Sequence, residues 1–297
     1  MTPPAIEAAE PPGFVDAGNL GEVLATLEQL GPQVTLLAGG TDVMVQYLRG
    51  DIRPSTLLHI RRLTELKGCR VGDVTDMGAL TTHWEIVSNP ALCRAHPALA
   101  EAAATVGGRQ TQNVGTVAGN VVNASPAADL LPVLLVSNTS VTLKSASTTR
   151  EVAIEDFVVG RRSTQRRPEE LVTRLSLQPV GPRTGETYLK IGRRGAMEVA
   201  IVGLAMRLAF DREGVVVDAR VAACAVGPRP FRSREAEARL VGSKLDAATV
   251  REAGELMRGS AAPIDDSRAT AAYRSRLLTP LLARAAGACL ARAAAKN

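Results

Sequence analysis

Aromatic side chains are scarce, at 3% of the 297 residues, and the chain is basic, with a formal net charge of +5. A basic chain can bind nucleic acid, but that requires aromatic stacking platforms or a recognisable reading helix, and neither is present. The charge fits an anionic cofactor or an acidic partner face better. Histidine and cysteine are also few. His59, His83 and His96 are scattered, and Cys69, Cys93, Cys224 and Cys289 lie far apart with no C-x-x-C pair. No ligand set for a zinc ion or an iron–sulfur cluster can be assembled at those spacings, so no metal site is expected on this chain. The thiols read as reduced groups in a reducing compartment. No stretch approaches the roughly 20 apolar residues needed to span a bilayer. Met1–Pro12 lacks a basic segment followed by an apolar one, so no secretory signal is expected and a cytoplasmic location is the default.

Apolar residues make up 45% of the chain, enough for real cores, and the length suits about two domains. The stripe Leu20, Val23, Leu24 and Leu27 after Asn19 and before Gly31-Pro32 predicts a helix. Val34–Ala38 reads as a buried strand running into Gly39-Gly40-Thr41-Asp42 and a short helix, Val43–Leu48. Leu57–Ile60 and a segment ending near Ala79 read as strands. Thr82 with Glu85 forms a capping-box signature, and Pro97 opens an alanine-rich helix reaching Val106. Residues 107–128 show no period and are rich in Gly, Asn, Gln, Thr and Ser, predicting a long ordered loop or a ligand-wrapping segment. A helix over Leu130–Val136 and a strand over Val141–Leu143 follow. Composition shifts near Pro179–Thr184, where a domain boundary is expected. Beyond it, Ile201–Phe210 and Val215–Val226 predict a hairpin closed by Asp211–Gly214. Helices over Ser233–Leu240, Asp246–Met257 and Ala271–Ala295 complete a small antiparallel sheet packed with helices, with a kink expected at Pro280.

Two glycine segments carry the chemistry. Ala38-Gly39-Gly40-Thr41-Asp42-Val43 sits between a strand and a helix, where glycines let backbone amides approach a phosphate. It is neither a P-loop nor a G-x-G-x-x-G turn. The second, Asn113-Val114-Gly115-Thr116-Val117-Ala118-Gly119-Asn120, leads to Ser125-Pro126 and Asp129, whose carboxylate could accept from a ribityl or ribose hydroxyl. Two cradles on one chain suggest a pyrophosphate clamped from two sides by a non-Rossmann fold.

These segments resemble the flavin-binding motifs A-G-G-T-D-[LV] and N-x-G-T-[IV]-G-G-N-[IL]-x-x-A-S-P-x-x-D of the FAD subunits of the xanthine dehydrogenase and carbon monoxide dehydrogenase family. Gly78–His83 is similar to that family's G-A-L-T-T-H, and Asp156–Thr164 to its D-F-F-x-G-x-x-x-T. Tyr188-Leu189-Lys190 with Arg193-Arg194, then Asp265–Arg268 with Tyr273-Arg274, extend the resemblance to about residues 12–290.

The resemblance implies an α+β fold. A two-subdomain FAD-binding domain of the PCMH (vanillyl-alcohol-oxidase-like) type would occupy residues 1–180, and the family's C-terminal domain residues 181–297. It implies that Ala38, Gly39, Gly40, Thr41, Asp42 and Val43, with Thr116, Val117, Ala118, Gly119 and Asn120, bind the FAD pyrophosphate. Asp129 would hold the hydroxyl-bearing chain, Val106 and Val172 would be apolar contacts, Lys190 would lie near the pyrimidine edge, and Val199 would pack by the ring. No residue would act on the organic substrate. Molybdopterin would reside on a large partner subunit and two [2Fe–2S] clusters on a small one, in a dimer of heterotrimers passing electrons to NAD, oxygen or a quinone-linked acceptor. Ala118 departs from the family's first glycine, Gln112 from a frequent arginine, and Val199 from the aromatic of carbon monoxide dehydrogenases. The absence of clustered cysteines separates the chain from the 4-hydroxybenzoyl-CoA reductase branch. Two other readings stay open: a self-contained flavin reductase or oxidase, with Ser233 and Tyr273 as its acid–base candidates, and a flavin-free scaffold subunit.

Overall fold

The computed structural model describes residues 11–195 and 197–295. The first subdomain is a three-stranded parallel sheet in which Thr56–His59 lies between Gly13–Asp16 and Val34–Leu37. Parallel strands need crossovers, supplied here by the Leu20–Leu30 and Val43–Leu48 helices. Asn19 caps the first through its side chain on the Glu22 amide, and Val23, Leu24 and Leu27 turn inward, as the apolar stripe predicts. They pack with Val34, Leu58, Leu63 and Leu66 as a small separate core.

The second subdomain is a five-stranded antiparallel sheet. Its central strand, Leu171–Leu177, pairs with Thr75–Gly78 on one side and Ser140–Lys144 on the other. Helices Pro97–Ala104, Val117–Asn123 and Leu130–Val136 share its core, and every residue of the last is buried. The Thr82–Glu85 capping box is formed on both sides. Residues 107–128 are not one long loop, because they contain the helices Arg109–Gln112 and Val117–Asn123. Each is too short to show a period, and the second is held by the Thr116 hydroxyl, which accepts from the Gly119 amide.

The C-terminal unit is a four-stranded antiparallel sheet, Thr184–Ile191, Val202–Phe210, Val216–Cys224 and Phe231–Arg232 in spatial order. The central pair is the expected hairpin. Asp211 accepts from the Glu213 and Val215 amides, and Gly214 takes φ +79° at the left-handed position. Helix Ala271–Ala294 runs unbroken through Pro280. By length and composition it could cross a membrane. Its Leu278, Leu281, Leu282, Ala285 and Cys289 instead belong to the core of this unit. The architecture is therefore α+β, with two N-terminal subdomains and a sheet-plus-helix unit behind them.

Candidate functional site

The two glycine segments meet. A side chain on Gly39 would place its Cβ 1.9 Å from the Val114 carbonyl oxygen, so only glycine lets the first segment lie against the second. Gly40 adopts φ +71°, which turns the chain from the Val34–Leu37 strand into the following helix. Across this junction Asn123 donates to the Asp42 carboxylate at 3.0 Å and accepts from Gln46 at 3.2 Å. Burial pushes the Asp42 carboxyl up, opposed by the charge of Arg162 and by the Asn123 bond.

Between the subdomains lies a cavity of about 600 Å³. Its walls include Ala38, Gly39, Gly40, Thr41, Asp42 and Val43 from the first segment and Thr116, Ala118, Gly119 and Asn120 from the second. Val106 and Val172 supply apolar wall. Among the described residues, the amides of Gly39, Gly40 and Thr41 donate to no backbone carbonyl. The second segment is different. Val117 and Ala118 donate to the carbonyls of Thr81 and Ala79, Gly119 to the Thr116 hydroxyl, and Asn120 to the Thr116 carbonyl. What this segment turns to the cavity is thus a hydroxyl, a bare glycine and the Asn120 carboxamide, whose buried Oδ1 has no partner among the described residues. A buried polar atom without a partner costs roughly 1–3 kcal/mol, so each such atom marks a place for a ligand or water.

Val117, Asp129, Lys190 and Val199 do not line this cavity. Val117 is buried in the sheet–helix core. Asp129 is buried and accepts from the Tyr188 hydroxyl at 2.6 Å and from Lys190 Nζ at 2.9 Å. Lys190 also donates to the Thr105 carbonyl at 3.0 Å, which sets its charge beside Val106. Burial pushes the Asp129 carboxyl up, with Lys190 and Tyr188 opposing, and pushes the Tyr188 hydroxyl up as well. Val199 is exposed, and neighbouring Met197 lies close to Gly108, near the Val106 side of the cavity. Ser233 is fully buried, and neither it nor Tyr273 reaches the cavity.

Other wall residues were not singled out as site residues in the sequence: His83, Thr111, Asn123, Arg162 and Arg166. His83 is buried, its Nδ1 has no partner among the described residues, and burial lowers its pKa to about 4. In the sequence, His83 stands out only within the Gly78–His83 motif and Arg162 only within the Asp156–Thr164 motif.

Open amides, a hydroxyl, a carboxamide and guanidiniums, together with valines and leucines, line a cavity suited to a ligand that is part anionic and part apolar. The family comparisons give that ligand a name. Residues 9–179 match the FAD binding domain in molybdopterin dehydrogenase, and residues 187–288 the CO dehydrogenase flavoprotein C-terminal domain. The glyceraldehyde dehydrogenase medium chain of Sulfolobus acidocaldarius is 32% identical over 279 residues, covering 93% of this chain and 98% of its own. The xanthine dehydrogenase FAD-binding subunit of Escherichia coli O157:H7 is 27% identical over 283 residues, covering 94% and 96%. Carbon monoxide dehydrogenase from Hydrogenophaga pseudoflava superposes with a TM-score of 0.91 at 28% identity, covering 95% and 98%. The chain belongs to this family, as the FAD-binding medium subunit of a molybdenum hydroxylase, an oxidoreductase.

Proposed function

We propose that this chain is the electron relay of a heterotrimer, with FAD in the cavity between the N-terminal subdomains. In this reading a large subunit carrying molybdopterin oxidises the organic substrate, and a small subunit with [2Fe–2S] clusters passes electrons on. They leave through this chain to an external acceptor: NAD, oxygen or a quinone-linked carrier. Two heterotrimers would associate as a dimer, and the four free thiols favour the reducing cytoplasm.

The observation that carries the reading is the close packing of Gly39 on Val114 beside amides that, among the described residues, have no partner along one wall of the cavity. Bound there, FAD supplies an isoalloxazine that takes up and releases electrons. The chain's own groups bind and orient it. The Gly39–Thr41 amides and the Thr116 hydroxyl would donate to its pyrophosphate, with Ala38, Asp42, Val43, Ala118, Gly119 and Asn120 shaping the cradle and Val117 buried beneath it. Val106 and Val172 would exclude water along the walls. Lys190, held by Asp129 and the Thr105 carbonyl, would place a fixed cation where negative charge on a reduced flavin is stabilised, and Val199 would cover the ring edge. A self-contained reductase is disfavoured because neither Ser233 nor Tyr273 reaches the cavity.

An absorbance spectrum of the native complex, and of this subunit after separation, tests the reading. Flavin bands should stay with this chain and be absent from a Gly39→Val variant that still folds by circular dichroism. A colourless chain that takes up no added FAD would leave a scaffold role as the better account.

A further inference from the structure

We propose that Arg162 and Arg166 form a cationic clamp for the cofactor's diphosphate, facing the amides of the first glycine segment. The proposal rests on the reading of the cavity as the FAD site.

Three observations converge on these two side chains. Arg162 stands in the turn between the paired strands Val158–Gly160 and Ser163–Thr164, at φ +53°. A left-handed conformation costs a non-glycine residue roughly 1–2 kcal/mol. The turn is pinned there because the Arg162 amide donates at 2.9 Å to the carbonyl of Ala124, itself left-handed at the end of the Val117–Asn123 helix. The arginine-bearing hairpin is thus fastened to the second glycine segment.

Arg166 is fixed more firmly. One guanidinium nitrogen, Nη1, donates to the carbonyls of Arg167, Pro168 and Glu170 at 3.0, 3.3 and 2.7 Å. Its Nε and Nη2 donate to nothing among the described residues, yet the residue lines the cavity and burial lowers its pKa. The nearby Glu170 carboxylate does not pair with it, being taken by Arg150 through two hydrogen bonds. A half-buried guanidinium held by three carbonyls on one nitrogen, with an open two-donor edge, matches the fork geometry of a phosphate.

The third observation is charge. Asp42, Arg162 and Arg166 are the charged side chains of the cavity wall. The Arg162 guanidinium makes no hydrogen bond among the described residues and acts on Asp42 only through space. Among the charged side chains of the wall two cations face one carboxylate, and although Glu169 and Glu170 also act on Arg166 through space, backbone amides, which carry no net charge, could not offset a diphosphate alone. Riboflavin, lacking phosphate, should not sense either arginine.

The test is fluorescence titration of the flavin-free full chain with FAD and with riboflavin, and ADP competition against FAD. Arg162→Met and Arg166→Met should each weaken FAD and ADP by roughly 10- to 100-fold, as expected for charged hydrogen bonds. Riboflavin affinity should stay within about twofold, and Arg166→Lys should restore part of the FAD loss. Arg162→Met breaks no hydrogen bond of the fold, so its effect is read without loss of structure even if Arg166→Met unfolds. Unchanged FAD affinity in Arg162→Met, or equal losses of FAD and riboflavin, would overturn the clamp. Wild-type protein that binds neither FAD nor ADP would overturn the reading of the cavity itself.

Discussion

The C-terminal unit and the cavity between the N-terminal subdomains treat polar groups in opposite ways. In the first, buried charges are paired with one another. Glu186 and Arg207, both buried, form a double hydrogen bond at 2.9 and 2.5 Å. Glu186 also accepts from the Ala98 amide, and Arg207 donates to Ser137 and to the Gln178 carbonyl. Arg274 ends on Asp266 and on two carbonyls, although its Nε and the Ser233 hydroxyl have no partner among the described residues. Around the cavity such atoms gather without partners among the described residues: glycine amides, Asn120 Oδ1, His83 Nδ1 and one edge of Arg166. Open polar groups gathered around one cavity, rather than scattered singly as in the C-terminal unit, mark it as a place for a ligand. Folding energy accumulates in the closed network, and binding energy is held in reserve at the open one.

The sharpest way to break this contrast is to open the closed network. Glu186→Ala strands the Arg207 guanidinium and the Ala98 amide, and should cost about 3–5 kcal/mol of unfolding free energy. Urea titration reads that loss, and flavin content per folded molecule should not change. A smaller effect, on the open side, is the pH response of His83. Its folded pKa of about 4 lies below the ordinary 6.5, so the unfolded chain binds more protons between those values. Stability should fall by about 3 kcal/mol as pH drops from 7 to 4. His83→Gln should flatten that limb of a stability–pH curve.

Asp266 contributes on the closed side at lower pH. Burial opposes its ionisation, but the Arg268 and Ala269 amides and Arg274 outweigh burial and bring its pKa to about 2. Its stabilisation is therefore complete above pH 4 and lost as pH falls through about 2. Because Asp266 is exposed and solvent screens its interactions, Asp266→Asn should cost roughly 1 kcal/mol at pH 7 and almost nothing at pH 2. An equally small effect belongs to a cap. Asp246 accepts from the Ala248 and Thr249 amides, and Asp246→Ala should lower unfolding free energy by about 1 kcal/mol without touching flavin binding.

Much of this was legible in the chain. The Asn19, Thr82 and Asp246 caps, the Asp211–Gly214 turn and the Leu130–Val136 helix are local, and their signals sit within a few residues. The glycine segments were legible as cradles, but not which of their atoms stay free. That depends on Thr81 and Ala79, whose carbonyls take the Val117 and Ala118 amides from a distant segment. The central Leu171–Leu177 strand went unassigned because its partners lie about 30 and 100 residues away. Pairing of Asp129 with Tyr188 and Lys190 spans some 60 residues. Nothing near Arg166 in the sequence shows that its guanidinium is gripped by carbonyls.

The Ala271–Ala294 helix also reaches back across the molecule. Arg292 donates to the Glu186 carbonyl and to Glu101, and Glu101 in turn accepts from the Tyr188 amide and the Thr187 hydroxyl. Because synthesis runs from the N-terminus, the cavity can close while this helix is still inside the ribosome. The last tie of the seam between the N-terminal and C-terminal units forms only once Arg292 has emerged. A translating chain would thus present a finished cofactor pocket before it presents a finished surface to any partner.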